Sequence, residues 1–429
     1  MTRIQMHSIV KRLILIRGLR SIGQGAMVVD LSLYLKDLHW SGALIGGVTS
    51  AAGLFGAALI LFVGILSDKL GRKPFLLIYE GMTMLSSMIA SMTTQGIILI
   101  LAIVIAGFGR GQSGAAGPFS PAEQAWLARY VERSNRGQIF SLNNGVGFLG
   151  MAIGSVLGGI PGYIHTANPL EAYRPVFLMV TVLSFFCILL LSLIHEQSIG
   201  SAVGQSSHGR DFRDKSHSVQ RSEENGKNIV KEQDPDETNI RRQENKAIFK
   251  LAFINTLNGL AVGLTGPMMA YWFSIRYHVG TEAIGVTLSI SFFLTAVSSY
   301  FSGILAQRFG MVKSVTWMRI IGSACMLALP WMPTFTIASF LFVIRNAINR
   351  GTQGNRSALS ASLTRDQRRG FASSINALSM RLPSSVGPTL TGYMFDVGQL
   401  NLPLILTAAL QLVNAGIYQR VFGEYDKKK

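Results

Sequence analysis

The chain has 429 residues, of which 49% are hydrophobic and only 14% charged, against roughly 25% charged in an ordinary soluble protein. Its apolar residues gather in long unbroken runs, such as 97–107, 176–194 and 400–413, which excludes soluble domains with polar helix faces. The net charge of +17 does not mark a nucleic-acid partner, because Lys and Arg cluster in short segments between the apolar runs, as the positive-inside rule produces.

Twelve transmembrane helices are predicted, near 13–35, 42–66, 74–94, 97–119, 138–161, 174–194, 247–273, 283–305, 314–332, 336–360, 371–395 and 401–421. Lys11 and Arg12 precede an apolar run too long for a secretory leader, and no small-residue cleavage site follows, so the first segment is expected to remain as span one. Span one carries Arg17, Arg20, Gln24 and, in its outer half, Asp30. A desolvated carboxyl there can load and release a proton as water access alternates.

After span two comes Gly64-Ile65-Leu66-Ser67-Asp68-Lys69-Leu70-Gly71-Arg72-Lys73. Gly64 lets neighbouring helices approach, Gly71 permits a tight turn, and Asp68 can accept from the N-terminal amides of a nearby helix. Span three carries Glu80 in its first half, and span four holds Arg110 four residues before Gly114. A mid-span arginine is expensive unless it faces water or a partner, so Arg110 is a functional candidate. Span five carries Gly150-x-x-x-Gly154-Ser155-x-x-Gly158-Gly159, a face of small residues suited to close helix packing.

Residues 196–246 are polar and nearly free of large apolar side chains, so they are expected to form a disordered cytoplasmic linker between a six-helix bundle at 1–195 and another at 247–429. Span seven then supplies Asn255, Asn258, Tyr271 and Trp272, span ten supplies Arg345 and Arg350, and span eleven supplies Arg381. Internal repeats relate the halves: 64–71 recurs as 303–310, Arg110 as Arg350, Arg136-Gly137 as Arg369-Gly370, and the span-five glycines as Gly387-Pro388-x-x-Thr391-Gly392. Loop charge sets the orientation. Arg3, Lys11, Arg12, Lys69, Arg72, Lys73, Arg129, Arg133, Arg136, Arg308, Lys313, Arg365, Arg368, Arg369 and Lys427 to Lys429 share one side, opposite little beyond Lys36, Arg174 and Arg276. Both termini are therefore expected in the cytoplasm.

Cys187 and Cys325 sit inside apolar runs, and the seven histidines show no metal-ligand spacing. With no nucleotide-binding loop or catalytic triad visible, no cofactor and no enzymatic activity are expected, and energy must come from an ion or solute gradient.

The loop 64–73, Arg110 with Gly114, and the span-five glycines resemble the major facilitator superfamily, over the whole chain outside the linker. The resemblance implies an all-α membrane fold of two pseudo-symmetric six-helix bundles, with spans one, four, seven and ten on a central cavity. It implies that Asp68 latches the cytoplasmic side shut against span eleven, with Arg72 and Lys73 completing a breakable ionic cluster. Arg110 resembles an element linked to proton transfer in drug exporters, and Gly150, Gly154, Gly158 and Gly159 resemble the antiporter motif. Span three is peripheral in this family, so Glu80 is expected to be the structural partner of an Arg or Lys. Two departures stand out: Gln307 replaces the second latch acid, and Arg129 occupies the place of an acid near the end of span four, where Glu123 could substitute.

The expected function is secondary transport of small organic solutes by alternating access, coupled to protons through Asp30 and Arg110 and directed to export of drugs or metabolites. Arg20, Gln24, Arg110, Asn255, Asn258 and Arg350 are the expected cavity residues. The alternatives are uptake of an organic anion, using Arg20, Arg110 and Arg350 as charge partners, and a non-transporting sensor on the same scaffold. The partners expected are the solute, protons and the lipid bilayer, for a monomer in the inner (cytoplasmic) membrane.

Overall fold

The computed structural model describes residues 7–108, 120–132, 135–194, 235–352, 356 and 369–426. In the first half these form α1 (Ser8–Asp37), α2 (Gly42–Leu70), α3 (Lys73–Met92), α4 (Gly96–Ala106), α5 (Ser120–Arg129), α6 (Arg136–Leu157) and α7 (Arg174–Ser192). In the second half they form α8 (Pro235–Thr265), α9 (Met269–Tyr277), α10 (Thr281–Phe309), α11 (Met311–Ala328), α12 (Phe335–Gly351), α13 (Arg369–Asp396) and α14 (Leu402–Phe422). Eight helical stretches among the described residues are long and apolar enough to cross a membrane.

Each expected span overlaps at least one of these helices over part of its length. Span four is met by α4 over 97–106 only; Arg110 and Gly114 lie outside the described residues, and α5 begins past the expected end of the span. Span seven is split into α8 and α9 at Gly266-Pro267, where the proline has no N–H to continue the ladder. The start of α8 differs from the expected disorder, since residues 235–246 are helical. Pro235 suits a first turn, and the Glu- and Arg-rich segment behind it spaces Glu237 and Arg241 four apart, a pattern that supports a helix without an apolar face. Residues 195–234 lie outside the described set.

Turn chemistry at the repeated loops is alike in the two halves. Gly71 after α2 has φ +87° and Gly310 after α10 has φ +93°, a left-handed conformation that other residues adopt only under strain. Ser41 Oγ accepts from Leu44 N at 3.2 Å and starts α2.

Helices approach where side chains are smallest. Gly150, Gly154 and Gly158 of α6 lie against the backbone of Gly18, Ile22 and Ala26 on α1, and Gly387 of α13 lies against Gly263 on α8. Gly392 and Pro388 meet Gly42 and Gly46 of α2, while Gly159 meets Thr281 and Glu282 on α10, so the same glycine faces also join the two halves. With no hydrophobic drive between helices in lipid, this close backbone contact supplies the packing energy. Large apolar side chains such as Phe62, Ile97, Phe249, Trp317 and Phe340 point outward and are mostly exposed, as a lipid-facing surface requires.

The buried core is organised differently at the two ends. One continuous cluster, including Leu35, Ile45, Tyr173, Phe177, Phe273, Phe342, Phe395 and Leu404, draws on both halves. At the end bearing the basic loops, two clusters stay within their own bundles, one around Leu13, Leu76, Trp126 and Leu191, the other around Leu251, Val312 and Tyr418. Among the described residues, then, the halves share a core only at the end away from the basic loops.

Candidate functional site

Three helices of the first half converge on one buried charge cluster. Arg20 on α1 donates from Nε to Glu80 Oε1 on α3 at 2.5 Å and from Nη1 to Glu123 Oε2 on α5. All three side chains are essentially excluded from solvent, and the Arg20 guanidinium lies 5.6 Å from the centre of the Tyr79 ring. Arg17, one turn away and equally buried, brings the local formal charge to zero. Buried charges survive only when paired in this way. A small cavity of about 30 Å³ beside Arg20 is lined by Gln24, Met27, Thr83 and Phe108 among others, room for a water or two. A guanidinium held by two carboxylates has little charge left to offer a solute.

Asp30 presents the opposite case. Its side chain is fully buried ten residues further along α1, and neither carboxyl oxygen has a hydrogen-bond partner among the described residues. The surrounding layer is aromatic: Tyr34 stands edge-on to both Tyr173 and Phe177, with ring centres 5.4 and 5.1 Å away. Of the three buried helical acids among the described residues of this half, two are neutralised by Arg20 and Asp30 is not.

The halves are tied together at the end where they share a core. Asp396, the last residue of α13, accepts from the backbone N–H groups of Gly42 and Ala43 at the start of α2, both at 2.7 Å. This is an anion at a helix N-terminus, where free amides and the dipole favour it. Ser50 and Thr389 hydrogen-bond between the same two helices at 2.7 Å, and Lys36 Nζ reaches Ser274 Oγ at 2.8 Å. Sequence reasoning did not single out Asp396, because an acid at a helix end has no local mark of what it will meet.

At the basic-loop end, Gly64 and Asp68 fall in the last turns of α2, and the Asp68 side chain lies outside the described residues. Arg72 occupies the N-cap position of α3. Lys73 donates to the carbonyls of Ser192 and Ile194 at 2.9 and 2.7 Å, satisfying the end of α7.

In the second half, Asn255 donates to Asn376 on α13, and Asn258 accepts from Arg319 Nη2 on α11 at 3.1 Å. Both asparagines are buried between helices of one bundle. Arg350 places its guanidinium 5.1 Å from the centre of the Phe292 ring, with Nη1 buried and unpartnered among the described residues. Arg345 donates to the adjacent Asn346, which in turn donates to Ser291. Arg319 and Arg356 escaped the sequence reading, although the internal repeat could have shown them opposite Glu80 and Glu123.

The family model for the Major Facilitator Superfamily matches residues 13–227 and 251–428. An uncharacterised membrane protein of Saccharomyces cerevisiae is 22% identical over 96% of this chain and 93% of its own length. The quinolone resistance protein NorA of Staphylococcus aureus is 21% identical over 92% of each chain. Among solved structures, a bacterial homologue of the human lysosomal transporter Spinster, inward-facing and occupied, superposes with a TM-score of 0.71 at 14% identity, covering 98% of this chain and 97% of the other. The chain belongs to the Major Facilitator Superfamily and has its fold.

Proposed function

We propose that this member of the superfamily is a proton-coupled secondary transporter that exports small organic solutes, drugs or metabolites, by alternating access across the cytoplasmic membrane. The observation that carries the reading is Asp30, a carboxyl buried within span one with no cation or hydrogen-bond donor among the described residues to hold its charge. Such a group is neutral while shielded and releases its proton when water reaches it, which is what coupling to a gradient requires. Arg110, the mid-span candidate of span four, would assist by compensating the charge left on Asp30. Export is favoured by the glycine faces of α6 and α13 and by likeness to NorA, a protein named for quinolone resistance. The closed end, joined through Asp396 and Ser50, is consistent with a chain open toward the basic loops.

Purified protein in liposomes tests this. With cationic dyes and with carboxylates as solutes, a pH gradient should drive movement of the dye, and solute addition should drive proton flux. Asp30→Asn should still bind solute yet lose gradient-driven accumulation. If Asp30→Asn and Arg110→Ala both leave transport and its pH dependence intact, the coupling scheme is wrong. A second reading, uptake of an organic anion, is favoured by the open donor of Arg350; carboxylate-driven proton influx without dye movement would select it.

A further inference from the structure

Pseudo-symmetry places a second buried cluster where the first half keeps Arg17, Arg20, Glu80 and Glu123. Leu13, Ile16, Leu19 and Gly25 align with Leu251, Ile254, Leu257 and Gly263, which sets Arg17 opposite Asn255 and Arg20 opposite Asn258. The register that pairs Gly64 with Gly303 sets Glu80 opposite Arg319, and the one that pairs Arg136 with Arg369 sets Glu123 opposite Arg356. Packing follows the same register: Gly25 abuts the backbone of Met151, and Gly263 abuts the backbone of its counterpart Ser384.

Every charge in the cluster has changed between the halves. Both arginines have become neutral amides, and both glutamates have become arginines. The first cluster sums to zero formal charge, whereas the second holds two positive charges and no acid among the described residues. From 247 to 423 the chain contains only Glu282, Asp366 and Asp396 as acids. Glu282 and Asp396 stand at the far end of the bundle, and Asp366 lies outside the described residues. Further on, Asp426 is engaged by the backbone amides of Val312 and Lys313 at 3.1 and 2.8 Å.

The donors of this cluster are left open. Arg319, only 4% exposed, spends Nη2 on Asn258 and stacks 5.8 Å from the centre of the Tyr418 ring, while its Nη1 has no partner among the described residues. Arg356 Nε and the hydroxyl of Tyr418, itself 2% exposed, are likewise buried without partners among the described residues. Arg356 interacts electrostatically with both Arg319 and Tyr418, and two nearby guanidiniums in low dielectric repel each other and lose their hydration, a cost that an anion between them relieves.

We infer that Arg319, Arg356 and Tyr418 form an anion site in the second half, which takes one small anion of the carboxylate or phosphate type. The ligand supplies the negative charge that Glu80 and Glu123 supply in the first half, and the planar guanidinium forks suit an oxyanion. This holds whatever the direction or coupling of transport, and its readout is binding.

The test is thermal unfolding of the full-length protein in detergent and zwitterionic buffer, titrated separately with phosphate, acetate and chloride. Phosphate or acetate should raise the melting temperature saturably, by about 2–5 °C, with chloride as the control. Response to phosphate identifies a free oxyanion as the source, response to acetate alone identifies the acidic head of a solute, and response to chloride alone overturns the oxyanion site. In Arg319→Gln the saturable rise should vanish. The variant N255R/N258R/R319E/R356E, which transplants the first cluster into the second half, should be insensitive to all three anions and no less stable in low salt. Where either of these fails to fold, Arg356→Gln takes its place and should lose the rise in the same way. No saturable rise with any anion in the unmodified protein, or an undiminished rise in the glutamine variants, overturns the site.

Discussion

Replacing Asp396 with alanine removes two backbone-to-carboxylate hydrogen bonds that span the halves at the start of α2. Bonds to a charged acceptor contribute about 1.5–3 kcal/mol each when shielded, and charge at an exposed helix terminus contributes about 0.3–1 kcal/mol. Asp396 is exposed at the rim, so the lower figures apply and the pair together should stabilise the closed end by about 1–2 kcal/mol. That corresponds to a shift of about 5- to 30-fold in the ratio of closed to open forms. The assay is labelling of a cysteine placed at Ser50, inside the α2–α13 contact, by a membrane-impermeant maleimide added from outside, in a Cys187→Ser/Cys325→Ser background. Asp396→Ala should speed labelling by that factor, and Asp396→Asn, which keeps one acceptor, should fall between. An unchanged rate in Asp396→Ala would refute the assignment of these bonds as a tie between the halves.

Glu80→Ala leaves Arg20 with half its counter-charge, and breaking a buried pair costs about 3–5 kcal/mol; detergent-solubilised protein should melt many degrees lower. The double variant Arg20→Gln/Glu80→Gln should recover part of that loss, and no recovery would show that packing, not charge, holds the site. Gly154→Ala drives a Cβ into the backbone of Ile22, whereas a Cβ at Gly47 meets nothing. The first substitution should destabilise by about 1–3 kcal/mol and the second hardly at all, as read by thermal unfolding of both. Lys73→Met uncovers the last carbonyls of α7 at a cost of about 1 kcal/mol, which hydrogen exchange should register as faster opening near residue 192, with α1 unaffected.

Much of the fold follows patterns visible along the chain. The placement of most helices follows the apolar runs, because a span needs only length and hydropathy to be recognised; α5 and the start of α8 do not. The glycines of α6 and α13 announced helix contacts, since small residues at fourfold spacing have one chief use in a membrane. Glu80 was expected beside a cation and lies on Arg20. What stayed hidden was partnership: Arg20, assigned to the cavity by its span, sits between two carboxylates, and Arg319 and Arg356 drew no notice. The helical start at Pro235 was hidden for another reason. A polar stretch of helix has no apolar periodicity to reveal it.

By itself, then, the amino-acid sequence determined the spans, the two related halves, the basic loops and the inventory of acids and arginines inside the membrane. Each is a property of hydropathy, spacing or repetition along one strand of chain. Only the tertiary structure decided which charges meet. Arg20 reaches Glu80 and Glu123 across 60 and 103 positions, and Asp396 reaches Gly42 across 354. Those meetings depend on which helix faces pack together, and in lipid that choice is made by backbone-to-backbone fit at glycines and not by the charges themselves.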